Sequence, residues 1–528
     1  MRGVLVFAPH ASPTYVPLGL ATLAAHVQVQ AADCELVPID LNLALWERQA
    51  EADAELAACR SFLRGRAGDF HDPLQYAAHQ AVWRGAAASR RRLTATSRRY
   101  LETDEMEPEL RAALAYAAGL IIRERPEWIG FSVMFPEQVL VSLALAKFLA
   151  EEVYAGAPPG LVLGGATASA LRAEEVLRAC PFLDAVFGGE GEQGLLRLLR
   201  GNAPASVPGL VFRRDDVVVT NRKPDTLTAA AVCLPSFTEL DPIRYDNPVP
   251  VLPVVFSRGC KWRRCRFCAH NLSYSGYRRH AAERFADYLG ELQARWGATH
   301  FYFADQYVAA EDMAELSRAI LERGLRLSFH VMGRPTAAYT PDRLELMARA
   351  GCRWISWGVE SGSARLLEVC GKGTTPVEIQ QVVTDSARVG IFNLLMMIFG
   401  LPTSGPDDLQ ATMDLVADLG GAAGSVTSSR FQLFARTPFA ARPDRYGLRV
   451  TGQEVLFSRG GQDVRSLRLF HEERAMDGSW RPPRGSVEVA EWERFRRWCR
   501  PVSELDGLCS EHLLLRLARG PGGSACAA

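Results

Sequence analysis

The feature that most constrains the fold is an alternation of apolar, strand-like runs with helical stretches, which occurs twice along the 528 residues. The second series runs from residue 251 to about 435 and contains six strand candidates. They are VLPVVFS (251–257), HFYFAD (300–305), LSFHVMG (327–333), WISWGVE (354–360), NLLMMIFG (393–400) and SVTSSRFQLF (425–434). Helical periodicity between them indicates consecutive βα units, so we predict a partial (βα)6 TIM-type barrel. Barrels of this kind carry their chemistry at the C-terminal ends of the strands.

The first series predicts a doubly wound, Rossmann-like α/β domain at the N-terminus. Its strand candidates are GVLVFAP (3–9), CELVPID (34–40), WIGFSVMF (128–135), GLVLGGA (160–166) and DAVFGGE (184–190). Helical periodicity lies between them, and the segment LVFRRDDVVVTN (210–221) is typical of a closing hairpin. In such sheets ligands bind outside the carboxyl ends of the strands.

These patterns divide the chain into four parts. We expect an N-terminal domain over 1–221 with a polar helical insertion at about 43–109, a proline-rich linker over 222–250, the barrel over 251–440, and a small α-rich C-terminal region with a flexible tail over 441–528. The insertion contains ASRRRLTATSRRY (88–100), which we interpret as a solvated helical face rather than a partner surface.

Composition excludes some partners. Lys plus Arg and Asp plus Glu are equal at 60 each, so no net charge attracts nucleic acid or an anionic membrane. No apolar run reaches the roughly 18 residues of a membrane helix, and the N-terminus lacks the features of a signal peptide. A cytoplasmic protein without a membrane span is expected.

Three cysteines stand apart from the other nine, which are scattered like reduced thiols. Cys260, Cys265 and Cys268 lie in SRGCKWRRCRFCAHN (257–271), after the first barrel strand. A four-iron cubane takes one ligand per iron, so three thiolates leave one iron open to a substrate or cofactor. Zinc is the alternative, with His270 as the fourth ligand, but the four ligands would then share eleven residues. The spacing favours the cluster.

Polar or turn-forming residues follow the other barrel strands. They are Asp305, Arg334, Glu360 with Ser361, Gly400-Leu401-Pro402, and the segment 434–438. Each alone could cap a helix or form a turn. On the same rim as three clustered cysteines, they become candidates for a site.

The motifs in this order resemble those of the radical S-adenosylmethionine superfamily. CKWRRCRFC resembles its cluster loop, C-x3-C-x2-C with an aromatic residue before the third cysteine, although here four residues separate Cys260 from Cys265. GVESGS (358–363), GKGTT (371–375), FGLP (399–402) and ARTPF (435–439) resemble signatures of the subgroup with an N-terminal cobalamin-binding domain. In the first domain, PLGLATLA (17–24), LGGATAS (163–169) and FGGEGEQGL (187–195) resemble that cobalamin domain.

The resemblance implies roles for individual residues. Cys260, Cys265 and Cys268 would ligate a 4Fe-4S cluster, with Phe267 near the adenine of S-adenosylmethionine. Glu360 and Ser361 would hold its amino or ribose groups, and Arg334 its carboxylate. The cobalamin-binding residues would be Gly164, Gly165, Gly188, Gly189 and Glu190. His10 lacks the Asp and Gly of the D-x-H-x-x-G motif, which leaves the axial cobalamin ligand undefined. The resemblance names no catalytic residue.

The function that the resemblance implies is methylation of an unactivated carbon in a specialised-metabolite or peptide intermediate. One electron from an external donor, such as flavodoxin or ferredoxin, would enter the cluster, and S-adenosylmethionine would yield a 5′-deoxyadenosyl radical. A radical rearrangement, cyclisation or oxidation without methyl transfer is a second reading. A third, of another class, is a non-enzymatic cobalamin or zinc binding protein that acts as a sensor or carrier.

Overall fold

The structure is a computed structural model that describes residues 1–528 except 216, 224–225, 229–230, 271–273, 275, 476, 500–507 and 519–528. The predicted flexible tail, from 520, and Asp216 of the predicted turn lie outside the described residues. The chain divides into two compact units. The first comprises Met1–Pro250 and Glu454–Leu467, and the second comprises Val251–Gln453 and Arg468–Ala528.

The first unit is built on a mostly parallel sheet. Its strands β1 to β7 span Arg2–Phe7, Glu35–Asp40, Trp128–Ser132, Gly160–Gly164, Ala185–Phe187, Leu210–Arg214 and Val217–Thr220. Among the described residues their order is β2-β1-β3-β4-β5-β6-β7. The first five pair in parallel, and the hairpin β6–β7 adds antiparallel strands at the edge. The order 2-1-3-4-5 is that of a doubly wound fold, as the sequence predicted.

Helices cover this sheet and bury its strands. They span Leu18–Gln30, Leu41–Ala52, Ala54–Leu63, Pro73–Thr103, Pro108–Arg123, Pro136–Phe148, Ala173–Ala179 and Glu192–Leu199. Consecutive residues of β1, Val4, Leu5 and Val6, are all buried. Burial of both faces is what a parallel sheet between helical layers requires.

The segment 43–109 lies largely in helices, but the solvated interpretation of its arginine-rich stretch is wrong for Arg90. That side chain is 8% exposed and donates to the carbonyl of Asn42, and its guanidinium lies 4.8 Å from the ring of Trp46. Trp46 is fully buried and donates to Asp246 at 2.6 Å, and Asp246 also pairs with Arg60 at 2.9 Å. Buried polar contacts therefore connect three insertion helices with one another and with Asp246.

The second unit contains a partial barrel. Its six strands span Val251–Val254, His300–Phe303, Ser328–Gly333, Cys352–Glu360, Phe392–Phe399 and Ser425–Arg430, and they are called here the first to sixth barrel strands. Among the described residues they pair in parallel in sequence order, so the predicted (βα)6 arrangement is confirmed. The helices between them span Ala282–Trp296, Ala310–Glu322, Pro341–Arg349, Ala364–Cys370, Pro376–Arg388 and Pro406–Leu419.

The C-terminal region supplies two further helices, consistent with the predicted helical character. Gly485–Cys499 contacts the fifth and sixth barrel strands, and Ser510–Ala518 contacts the second to fourth. The region also contains two long strands that the sequence analysis did not identify, Leu448–Arg459 and Gln462–Arg474. In the part of the chain that the structure describes, no helix is both long and apolar enough to cross a membrane.

Candidate active site

The cysteine loop begins at a buried carboxylate. Asp305, which follows the second barrel strand and is 1% exposed, accepts hydrogen bonds from the backbone N–H of Phe256 at 3.0 Å and of Ser257 at 2.5 Å. The hydroxyl of Ser257 donates to the same carboxylate at 2.6 Å. Burial raises the pKa of Asp305 to about 7, although these hydrogen bonds favour its charged form. Asp305 therefore fixes the residues from which the loop departs.

The three cysteines are half-buried and share one neighbourhood. The N–H of Cys268 donates to the carbonyl of Cys265 at 3.3 Å. The pKa of Cys265 is raised to about 11, mainly by burial; Lys372 lowers it, and negative charge on Cys268, Glu360 and Cys260 raises it. The three sulfurs and Glu360 are thus near enough to interact electrostatically.

Among the described residues, no group of three or more His, Cys, Asp or Glu side chains converges on a point where it could hold a single metal ion. A cubane differs from a single ion because each thiolate binds a separate iron. His270, the fourth ligand in the zinc alternative, is exposed.

The loop is fastened to the segment 371–373, the start of the GKGTT motif. The indole N–H of Trp262 donates to the carbonyl of Gly371 at 2.8 Å. Arg334, after the third barrel strand, lies 4.1 Å over the Trp262 ring and donates to the carbonyls of Lys372 at 3.0 Å and Gly373 at 2.8 Å. A Cβ at Gly373 would lie 2.1 Å from the Trp262 ring, which explains a glycine there. The three consecutive backbone carbonyls of residues 371 to 373 thus accept hydrogen bonds from the cysteine loop and from Arg334.

The extra residue of the cysteine spacing falls in a strained turn. Arg263 has φ 51°, in the left-handed region that non-glycine residues rarely adopt. Its side chain and that of Arg264 are exposed, and Arg264 lies 5.0 Å from the Trp262 ring. The strain is consistent with a four-residue gap closed over a short distance.

Glu360 ends the fourth barrel strand in an unusual conformation. It has φ 68°, and the strand register shifts between Gly358 and Glu360. Its carboxylate is 2.7 Å from the ammonium group of Lys372, and both residues are buried. A Cβ at Gly358 would lie 2.7 Å from the Lys372 Nζ, so the ion pair occupies the space above this glycine.

Lys372 is a site residue that sequence reasoning missed. Burial lowers its pKa, but the charges of Glu360 and Cys265 raise it, and the net pKa lies above the usual value for lysine. A lysine between two glycines in a loop has no periodic signal. Its position inside the GKGTT motif was the available clue.

Ser361 and Phe267, which were also predicted to lie near S-adenosylmethionine, contact other groups than the Glu360–Lys372 ion pair. The Ser361 hydroxyl is 3.2 Å from that of Thr412 and accepts from the Ser363 N–H at 3.1 Å, so it stabilises the turn after the strand. Phe267 packs against an apolar cluster. The buried members of this cluster are Leu366, Cys370, Leu401, Phe431, Leu433, Phe439 and Leu448. Leu401 and Phe439 come from the FGLP and ARTPF motifs, which thus contribute to the cluster that Phe267 packs against.

The glycines of the first unit fall into two classes. Gly165 has φ 103° and its Cβ would lie 2.4 Å from the carbonyl oxygen of Val133, and Gly189 has φ 91°. The fold itself requires glycine at both. Gly164 and Gly188 have no positive φ, and the nearest atoms to an added Cβ lie 3.5 and 3.9 Å away.

Gly164 ends β4, and Gly165, Gly188, Gly189 and the half-buried Glu190 follow β4 and β5, at the edge where doubly wound folds bind ligands. The described protein atoms do not require glycine at 164 and 188.

His10, in the loop after β1, is engaged within the protein. Its Nε2 is 2.5 Å from the hydroxyl of Thr94 on the insertion helix Pro73–Thr103, and burial lowers its pKa. His10 therefore lacks the Asp and Gly of the D-x-H-x-x-G motif and has Thr94 as a hydrogen-bond partner.

Comparisons with known proteins agree with this architecture. Residues 254–416 match the family model of the radical SAM superfamily. An uncharacterised methyltransferase of Pyrococcus horikoshii is 28% identical over 285 residues, which is 52% of this chain and 60% of that protein.

Two solved structures are similar over nearly the whole chain. The cobalamin-dependent S-adenosylmethionine radical enzyme OxsB, solved with aqua-cobalamin and S-adenosylmethionine, gives a TM-score of 0.64 at 16% identity, covering 93% of this chain and 66% of that one. The radical S-adenosylmethionine methyltransferase TsrM from Kitasatospora setae, with cobalamin and a [4Fe-4S] cluster bound, gives 0.62 at 16% identity, covering 94% and 90%.

The match to the radical SAM superfamily model covers most of the barrel and its cysteine loop. The fold of the chain is similar to those of OxsB and TsrM. The chain spans about 60% of the length of the Pyrococcus relative and 66% of that of OxsB.

We predict that Asp305→Asn destabilises the second unit by about 1–3 kcal/mol, because the amide nitrogen cannot accept the hydrogen bonds that the carboxylate accepts. Denaturant-induced unfolding of the purified protein measures this. Asp287→Asn is the control, since Asp287 forms an exposed pair with Arg323 and should leave unfolding unchanged. Equal unfolding of the Asp305 variant and the wild type would contradict the anchoring role.

Proposed function

We propose that this chain is a cobalamin-dependent radical S-adenosylmethionine enzyme that methylates an unactivated carbon of a small-molecule or peptide intermediate. The observation that carries the proposal is the loop of three neighbouring cysteines, fastened at the C-terminal rim of a partial barrel beside a buried glutamate. When bound, the cofactors supply a radical that removes a hydrogen atom and a methyl group for the resulting carbon.

The cysteine loop fits the cluster. Cys260, Cys265 and Cys268 provide one thiolate for each of three irons, which leaves the fourth available to S-adenosylmethionine. The raised pKa of Cys265 means that cluster binding displaces a proton from this thiol. The loop is already held by backbone contacts to 371–373, so its shape does not depend on the metal alone.

The described side chains provide contacts of suitable charge for S-adenosylmethionine. Arg334 has a buried Nε–H for which the described residues offer no acceptor, and a carboxylate would satisfy it. Glu360 offers a buried carboxylate to the amino or ribose groups. Ser361 contributes to the turn that positions Glu360, and Phe267 provides an aromatic surface for the adenine.

For cobalamin, Gly164 and Gly188 would let the ligand approach the backbone after β4 and β5. Gly165, Gly189 and Glu190 would shape the same edge. Because His10 lacks the Asp and Gly of the D-x-H-x-x-G motif, we do not assign it as the axial ligand.

An external protein would supply the electron. Arg263 and Arg264 are exposed next to Cys265, and no ion pair with an acidic residue is found for either within the described residues. An acidic one-electron carrier of the flavodoxin or ferredoxin type would complement this charge. Location in the cytoplasm is part of the same proposal.

The cluster is tested by anaerobic reconstitution. We expect a brown protein with about four irons per chain that releases 5′-deoxyadenosine from S-adenosylmethionine after reduction. Cys265→Ala should lose both properties. Cys370→Ala is the control, because this neighbouring buried thiol is not a proposed ligand. A colourless wild type, or one loaded with zinc, would instead support the non-enzymatic sensor or carrier.

The glycine argument predicts that two kinds of substitution act differently. Gly164→Ala and Gly188→Ala should keep the wild-type melting temperature but weaken cobalamin binding about tenfold, or roughly 1.4 kcal/mol. Gly165→Ala should destabilise the fold by about 1–3 kcal/mol, because of its φ and the contact with Val133. Absorbance titration with hydroxocobalamin and thermal unfolding measure the two effects. Unchanged cobalamin affinity in both of the first variants would contradict the proposed site.

Methyl transfer is tested by incubation with S-adenosylmethionine carrying a deuterated methyl group, with the product analysed by mass spectrometry. Label in the organic product supports methylation. Deoxyadenosine together with an altered but unlabelled product would instead support the rearrangement, cyclisation or oxidation.

A further inference from the structure

The ion pair between Lys372 and Glu360 is a buried charge arrangement that the proposed function does not yet explain. The ammonium group lies 2.7 Å from the Glu360 carboxylate, and the two residues are 6% and 8% exposed. Burial of two charges is costly, and removal of one partner leaves the other uncompensated. A buried charged residue with a specific charge partner at such a rim is a candidate for a functional site.

Lys372 is also held rigidly by its backbone. Its N–H donates to the carbonyl of Leu367 at 2.9 Å, and its carbonyl accepts from Arg334 at 3.0 Å. The neighbouring Gly371 accepts from Trp262 of the cysteine loop. The backbone next to Lys372 is thus hydrogen-bonded to the cysteine loop, and the side chain of Lys372 is bonded to Glu360 at the barrel rim.

The charge of Lys372 acts on the cysteine loop as well as on Glu360. Its ammonium group is close enough to Cys265 to favour the thiolate, whereas Glu360 disfavours it. The pair thus places one positive and one negative charge next to the sulfur that would bind the cluster. The charge of each residue in the pair can be removed by a separate substitution.

We propose that Lys372 is a positioning residue that holds the Glu360 carboxylate toward S-adenosylmethionine and keeps a positive charge beside the Cys265 ligand. This inference rests on the proposed function and adds a residue to it. Reduction adds an electron to the cluster, so a nearby cation favours the reduced form and a nearby anion opposes it. Lys372 and Glu360 should therefore shift the reduction potential of the cluster in opposite directions.

The experiment compares Lys372→Met and Glu360→Gln with the wild type, each reconstituted without oxygen. The midpoint potential is measured by a redox titration that follows the electron paramagnetic resonance signal of the reduced cluster. Lys372→Met should shift the reduction equilibrium about tenfold toward the oxidised cluster, which is 59 mV for one electron. Glu360→Gln should shift it toward the reduced form. A purely structural role would not give shifts of opposite sign.

Binding of S-adenosylmethionine to the oxidised protein gives a second readout without turnover. Calorimetry should show affinity reduced about tenfold or more in Lys372→Met and in Glu360→Gln. The double variant should lose less than the sum of the two single losses, because the residues act as one unit. Lys147→Met is the matched control. Lys147 is also a buried lysine paired with a carboxylate, Asp104, but it lies in the first unit.

The outcomes separate the two levels of the proposal. A wild type that holds no cluster contradicts the proposed function and, with it, this inference. A wild type with about four irons, together with a Lys372→Met variant of unchanged potential and affinity, contradicts the inference alone. If Lys372→Met fails to take up iron, Glu360→Gln decides, because an unchanged or lowered potential in that variant overturns the charge argument.

Discussion

The geometry of the candidate site depends on three successive backbone carbonyls, those of residues 371 to 373. They accept hydrogen bonds from Trp262 of the cysteine loop and from Arg334 of the third barrel strand. These acceptors have a defined direction and so fix the position of the cysteine loop. The side chain of Lys372 reaches Glu360, so one short segment orients both the cysteine loop and the acidic end of the fourth strand.

The fold requires glycine at one position after β4 of the first unit but not at the position before it. At Gly165 the backbone of Val133 already occupies the space of a Cβ, whereas a Cβ at Gly164 would be in ordinary contact with Phe187 at 3.5 Å. Under the proposed function, the absence of a side chain at Gly164 would let a large flat ligand approach the backbone.

The sequence predicted the parts of the structure that are governed by regular patterns. The parallel sheets with intervening helices follow from alternation, and the position of Cys260, Cys265, Cys268 and Glu360 at one rim follows from their places at the ends of strands. Lys372 was missed because a loop residue between glycines is not part of a helical or strand periodicity. Arg90 was misjudged because a run of charges usually marks a solvated face, and nothing local shows that Asn42 and Trp46 enclose it. The long strands after residue 447 escaped notice because charged residues interrupt their alternation.

Because the first unit is discontinuous in sequence, a fragment that ends at its first boundary is incomplete. Glu454–Leu467 belongs to the first unit, and its residues Phe457 and Val464 are fully buried in the same apolar cluster as Leu177. A fragment cut after Pro250 would lack these side chains and expose that cluster to water. The first unit is consequently completed by residues that follow most of the barrel in sequence, so Met1–Pro250 is not an independent module, and exchanging the unit between homologues requires exchange of 454–467 as well.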